Sequence, residues 1–232
     1  MITLRKASDR GHAQHGWLNS WHSFSFADYY DPAHTQFSCL RVINDDRVDA
    51  GQGFATHGHR DMEILSYVLS GSLQHKDSMG NGKVMTYGEV QLMSAGTGVQ
   101  HSEFNPSPVE AVHFLQIWIV PKQTGIKPGY QQKYFSPVEK QGRWCLLASP
   151  DASDGSLLLH QDAHVFSTIL GKKGQLHYSL APGRQAYLHV AKGQLKVAGM
   201  SLEEGDALMF SEESGFNLEG VEDAELLLFD LP

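Results

Sequence analysis

No window of twelve or more residues in this 232-residue chain carries a clean 3.6-residue apolar period. An amphipathic helix must repeat its apolar face at that spacing, so a helical framework is excluded. The apolar stretches are short instead: "MEILSYVLS", "EVQLMS", "VHFLQIWIVP", "QAYLHVAKG", "ALMFS" and "AELLLFDLP". They are rich in Val, Ile, Leu, Tyr and Phe, and Gly, Pro, Asn and Asp close them off, which is the pattern of strands joined by tight turns. The expected fold is all-β, a sandwich or barrel of many short strands. Hydrophobic residues make up 41% and charged residues 19%, so the chain has enough apolar surface for a real core.

A faint internal repeat divides the chain. "VLSGSL" (68–73) is followed by "GEVQLMS" (88–94), and "VAKGQL" (190–195) by "GDALMFS" (205–211). Two similar barrels in tandem are therefore expected. The polar segment "PKQTGIKPGYQQKY" (121–134), with its Pro and Gly, reads as the linker between them, and "SPDASDGS" (149–156) as a surface loop of the second half. The expected boundaries are 1–125 for an N-terminal barrel carrying the chemistry and 126–232 for a C-terminal barrel without metal ligands.

The chemistry lies in two short motifs. "GQGFATHGHRDMEIL" places His57 and His59 one residue apart, with Glu63 four further on, and "GVQHSEFN" places His101 and Glu103 in the same i,i+2 relation. Residues i and i+2 of a strand project from one face, so each pair sets two metal-binding atoms side by side. Two such pairs on neighbouring strands can converge on one ion. Three imidazoles and a carboxylate, with no sulfur, suit a borderline divalent metal such as Fe(II), Mn, Ni, Cu, Co or Zn. The spacing alone does not choose between Glu63 and Glu103. Carried through the repeat, the positions of His57 and His59 fall on Ser179 and Ala181, and those of His101 and Glu103 on Leu218 and Gly220. The second barrel therefore lacks the ligands.

The remaining histidines read more plainly. His160 and His164 have helical i,i+4 spacing in surroundings that read as strand and turn, so they are taken as structural. His75 is placed on a strand leaving the barrel, near the pocket. His113 opens a strand and would face inward if Leu115 and Ile117 do. His12, His15, His22, His34, His177 and His189 have no convergent partner in the sequence. Phe54, Met93, Phe104 and Trp118 lie near the two motifs; each reads first as core and would line an apolar pocket if one opens there.

Bulk features narrow the partners. Lys plus Arg total 18 against 26 for Asp plus Glu, a net charge of −8, which repels a phosphate backbone and argues against direct nucleic-acid binding. No apolar run approaches the ~18 residues of a membrane span. The N-terminus has no apolar signal-peptide core. Cys39 and Cys145 lie far apart in no C-x-x-C pattern. A cytoplasmic protein fits these features.

The two metal-binding motifs resemble those of the cupin superfamily. The first fits from Gly51 through His57, His59 and Glu63, with seven residues rather than six before Gly71. The second has Ser94 where Pro is usual and four residues between Gly96 and His101, and Asn105 fits. Within cupins, "GWLNSWHSFSFADYYDP", "RVINDD", "GFATHGHRDMEI" and "MSAGTGVQHSEFNP" resemble bacterial pirins. That resemblance implies a bicupin of two face-to-face barrels (double-stranded β-helices), with one metal in the N-terminal barrel held by His57, His59, His101 and Glu103, and Glu63 outside the ligand set. It favours Fe(II). It also implies a flavonol such as quercetin and O2 as substrates, the chain acting as a quercetin 2,3-dioxygenase with Glu103 as the base. A monomer is expected. Two other readings stay open: a regulatory metalloprotein acting through a protein partner, as described for human pirin, and a cupin isomerase or hydrolase using the same ligands.

Overall fold

The computed structural model describes residues 1–232, and β-strands dominate it, with one four-residue α-helix at Pro137–Lys140. The chain divides into two compact units. One comprises Gly11–Tyr134 with Leu159–Gln161, the other Met1–Arg10, Phe135–Leu158 and Asp162–Pro232. The strand Ile2–Arg5 thus belongs to the C-terminal unit, where it pairs with Ala207–Ser211 as an edge strand. No helix is long and apolar enough to cross a membrane.

Each unit pairs a seven-stranded antiparallel-dominated sheet with a four-stranded one. In the N-terminal unit the large sheet runs in the order Gly129–Tyr134, Glu89–Ser94, Glu63–Ser70, Val112–Ile119, Leu40–Val48, Leu18–His22, Gly11–Gln14. The small sheet runs Gly53–His59, Val99–Phe104, Ser72–Asp77, Gly82–Thr86. The central strands Glu63–Ser70 and Val112–Ile119 are buried on both faces, which is why they read as mainly apolar runs broken only by a few polar residues such as Ser66 and Gln116. Strands with one covered face alternate, as Val99–Phe104 does. Leu18, Val48, Val68, Leu73, Met85, Val112 and Phe114 form a core drawn from both sheets.

The internal repeat is structural. Val68 and Val190 each lie two residues before the end of a central strand, and Gly71 and Gly193 make the turn into the small sheet at φ +74 and +79. A Cβ at Gly71 would stand 2.7 Å from the Ala111 carbonyl oxygen, and one at Gly193 2.1 Å from that of Asp223. Both turns need left-handed backbone and both crowd a passing strand, so glycine stands in each. The motif strands correspond too: Gly53–His59 pairs with Val99–Phe104, and Gln175–Ser179 with Gly215–Gly220. The C-terminal interior is filled by apolar side chains, among them Leu188, Leu195, Leu208, Phe210, Phe216 and Leu228.

The segment 121–134 is not linker throughout. Gly129–Tyr134 pairs along its length with Glu89–Ser94 as the edge strand of the N-terminal sheet. Its Gln131, Gln132 and Lys133 look like loop residues in sequence, but an edge strand tolerates polar side chains.

Candidate metal centre and cavity

The two ligand-type pairs lie on adjacent antiparallel strands of the small sheet. His101 stands directly opposite His57, and Val99 opposite His59. A bulge follows, so that Glu103 faces Phe54. Such a bulge re-aims the side chains beside it. On its other edge the strand pairs with Ser72–Asp77, which sets Asp77 opposite His101 and His75 opposite Glu103.

The donor atoms of His57, His59 and His101 all lie within 4.8 Å of one another, and those of His75, His101 and Glu103 form a second such group that shares His101. His57 Nε2 and His101 Nε2 are 3.0 Å apart. His57 donates its Nδ1–H to the Ala55 carbonyl at 2.8 Å, which leaves Nε2 bare toward the cluster. Burial, with His57 and His59 nearby, pushes His101 down to about 3, and burial together with His57 pushes His59 down to about 4. Both rings are thus neutral at pH 7, the form a metal requires. Neutral imidazoles beside a carboxylate fit a divalent transition metal.

Glu103 is buried beneath the large sheet. It accepts from Ser66 Oγ at 3.1 Å and from Gln116 Nε2 at 2.6 Å. Burial raises its carboxyl to about 7 against the opposing pull of those two hydrogen bonds. Such a group exchanges a proton readily near neutral pH.

Ser66 and Gln116 belong to a polar row set by strand register. Gln132, Gln91, Ser66, Gln116, Asn44 and His22 stand opposite one another on six consecutive strands. The neighbouring row carries Phe114, Asp46 and Ser20. His22 Nδ1 lies 2.8 Å from Asn44 Oδ1, and Ser20 Oγ donates to Asp46. Burial pushes the Asp46 carboxyl up to about 7, with smaller contributions from Asp45 and Glu103 and against the Ser20 hydrogen bond.

A cavity of about 430 Å³ opens between the sheets, with His57, His59 and Glu103 in its wall. Its polar side is Ser20, His22, Asn44, Asp46 and Gln116; its aromatic side is Phe26, Tyr29, Phe54 and Trp118. Trp118 meets His59 edge-on at 4.9 Å and Phe26 at 5.4 Å. Phe26 and Tyr29 exchange backbone hydrogen bonds around a tight turn that holds both rings at the cavity.

The structure sorts the sequence candidates. Phe54 and Trp118 line the cavity, whereas Met93 is core with Ile64 and Phe104 is exposed. His12, His15 and His22, which had no partner in sequence, also line it. Gln116 and Trp118 face inward, so His113 lies with Leu115 and Ile117 on the other face, bonded to Asp45 at 2.7 Å. His75 is fully buried behind His101. Glu63 is taken up elsewhere: its Oε2 accepts from Ser94 Oγ at 3.0 Å and lies 3.2 Å from His160 Nδ1. Sequence reading also missed the polar wall. Its signal was present, since Ser20 with His22, and Asn44 with Asp46, are polar i,i+2 pairs inside buried strands.

Comparison with known proteins agrees with this architecture. The Pirin family model matches residues 3–119, and the model described as "Quercetinase C-terminal cupin domain" matches residues 146–231. A quercetin 2,3-dioxygenase of Escherichia coli (strain K12) is 52% identical over 232 residues, covering 100% of this chain and 99% of that protein. A pirin-like protein of Caulobacter vibrioides is 40% identical, covering 99% of each. The crystal structure of the bacterial pirin YhhW from Escherichia coli in complex with nickel(II) superposes with a TM-score of 0.96 at 50% identity, covering 100% of this chain and 99% of that one. With both halves matched by family models and full-length relatives at these identities, the chain belongs to the pirin family of cupin proteins.

Proposed function

We propose that this chain is a metal-dependent dioxygenase that opens the central ring of flavonols such as quercetin with O2 and releases carbon monoxide. The observation that carries this reading is the joining of three imidazoles and a buried carboxylate to a cavity with one aromatic and one polar side. The ligands in this proposal are His57, His59, His101 and Glu103, in the N-terminal unit alone. Full-length similarity to a quercetin 2,3-dioxygenase and to a nickel-bound pirin supports it.

A bound divalent metal would supply Lewis acidity that favours the flavonol's 3-hydroxyl as its anion. The chain's own residues do the rest. Phe26, Phe54 and Trp118 form an apolar slot that fits flat rings and keeps water away from them. Glu103 takes the 3-hydroxyl proton, and its two hydrogen bonds from Ser66 and Gln116 hold it in one rotamer for that transfer. Ser20, His22, Asn44 and Asp46 face the hydroxyl groups of a polyphenol.

The test is quercetin loss under air, followed by absorbance with parallel oxygen uptake, on metal-free protein and after each divalent metal is added back. Metal-dependent decay with one O2 consumed per flavonol is the expected result. Stoichiometric metal binding with no decay under any metal would refute the flavonol reading and leave the metal site standing.

A further inference from the structure

We propose that His75 and Asp77 are positioning residues that lock His101 in the tautomer whose Nε2 is free to bind a metal. The proposal rests on the ligand set given above, but its main test does not require a metal.

Asp77 closes the hairpin that joins Ser72–Asp77 to Gly82–Thr86. The Asp77 side chain is fully buried in its turn. Its Oδ1 accepts from the backbone N–H of Met79 at 2.9 Å and of Asn81 at 3.0 Å. Its Oδ2 accepts from Asn81 Nδ2 at 2.8 Å and from His75 Nε2 at 2.9 Å. Burial pushes this carboxyl up, but the hydrogen bonds from His75 and Asn81 outweigh burial and hold it below the usual range. An anion so surrounded only accepts.

The hydrogen on His75 is therefore on Nε2. A neutral imidazole carries one hydrogen, so His75 Nδ1 is a bare acceptor. That atom faces His101 Nδ1 at 3.5 Å. A hydrogen bond between these two nitrogens needs one donor, and with His75 Nδ1 bare that donor is His101. That bond places the hydrogen of His101 on Nδ1 and its lone pair on Nε2. The competing tautomer would donate from His101 Nε2 to the bare His57 Nε2 at 3.0 Å and leave the two Nδ1 atoms lone pair to lone pair, which the His75–Asp77 pair weighs against. His57 reaches the same state by a simpler route, donating to the Ala55 carbonyl. Two rings are thus aimed at one point by two different acceptors. For His101 the acceptor is an imidazole backed by a buried carboxylate, which also makes the ligating nitrogen more basic.

Asp77 shapes its turn as well as orienting His75, so the test separates the two roles. In metal-free protein with 15N-labelled histidine, long-range proton–nitrogen correlation spectra report the tautomer of each ring. His101 is expected as the Nδ1–H form; the Nε2–H form overturns the proposal. The second measurement is Ni(II) affinity by competition with a chromogenic chelator. In Asp77→Asn the backbone donors keep the side-chain oxygen, so the amide NH2 faces His75 and reverses its tautomer. Ni(II) binding is expected to weaken roughly 10–100-fold. His75→Phe, which offers His101 no acceptor, should lose a similar factor. His75→Gln retains an acceptor and should restore most of the affinity, and in that background Asp77→Asn should cost little more. Equal losses in His75→Phe and His75→Gln would show that His75 only fills space, which refutes the proposal. If Asp77→Asn fails to fold, the two His75 variants decide alone. Failure of the ligand set itself gives a different result: His57→Ala would bind Ni(II) as the parent does, while the tautomer of His101 still answers the question.

Discussion

Replacing Asp46 with Asn tests the electrostatics of the cavity wall without touching the proposed ligands. Asp46 is 4% exposed, and burial raises its carboxyl from 3.8 to about 7. A carboxyl raised on folding contributes fully to stability below the unfolded value near 3.8. That contribution is lost as pH rises toward about 7, above which the ionised group is simply a cost. At about 1.4 kcal/mol per pH unit, the displacement from 3.8 to about 7 sets a ceiling of about 4 kcal/mol. Between pH 5 and pH 8 the share of this cost still to develop is about 2–3 kcal/mol. Asn has the same shape and keeps an oxygen for the Ser20 hydroxyl, so the variant removes the ionisation and little else. Urea unfolding of metal-free protein at half-unit steps from pH 5 to 8 is the assay. The stability of Asp46→Asn relative to the parent should climb by up to that amount across the range and level off above pH 7. A difference that stays flat from pH 5 to 8 would mean that Asp46 titrates normally and that the buried-carboxyl reasoning is wrong.

Three further outcomes are expected. Glu103→Gln keeps the hydrogen-bonding geometry to Ser66 but cannot take a proton, so metal binding should survive in part while turnover falls by roughly 10²–10⁴-fold; full activity would remove Glu103 from the role of base. Trp118→Ala opens the apolar slot beside His59 and should raise the flavonol KM well above its effect on metal affinity, measured by steady-state kinetics and chelator competition on the same sample. Gly193→Ala forces a side chain into left-handed backbone and toward the Asp223 carbonyl, and should cost about 1–2 kcal/mol from the backbone alone, with the clash adding more; unfolding at the parent's urea midpoint would contradict it.

The mix of legible and hidden features follows from distance along the chain. Strand content, the repeat and the two ligand-type pairs were all readable, because period-two alternation and turn glycines act over a few residues. The same local patterns misled at 121–134, where polar composition concealed an edge strand, and left open the facing of His113, which the inward-facing Gln116 and Trp118 settle. They passed over His22, which is bonded to Asn44 and gains its place at the cavity only when those strands align.

What the sequence determined by itself is the alphabet of the proposed site: His57 with His59 and His101 with Glu103, each pair presented on one face by the pleat of its own strand. What only the tertiary structure decided is how those pairs are held. Cross-strand register sets Ser66 and Gln116 over Glu103 and brings the His75–Asp77 pair of the neighbouring strand behind His101. It also diverts Glu63, which the spacing left as a rival ligand, to Ser94 and His160, the latter 97 residues away. The pleat is a property of consecutive residues, whereas register is settled by the burial of whole sheet faces at once, and no short window of sequence contains that sum.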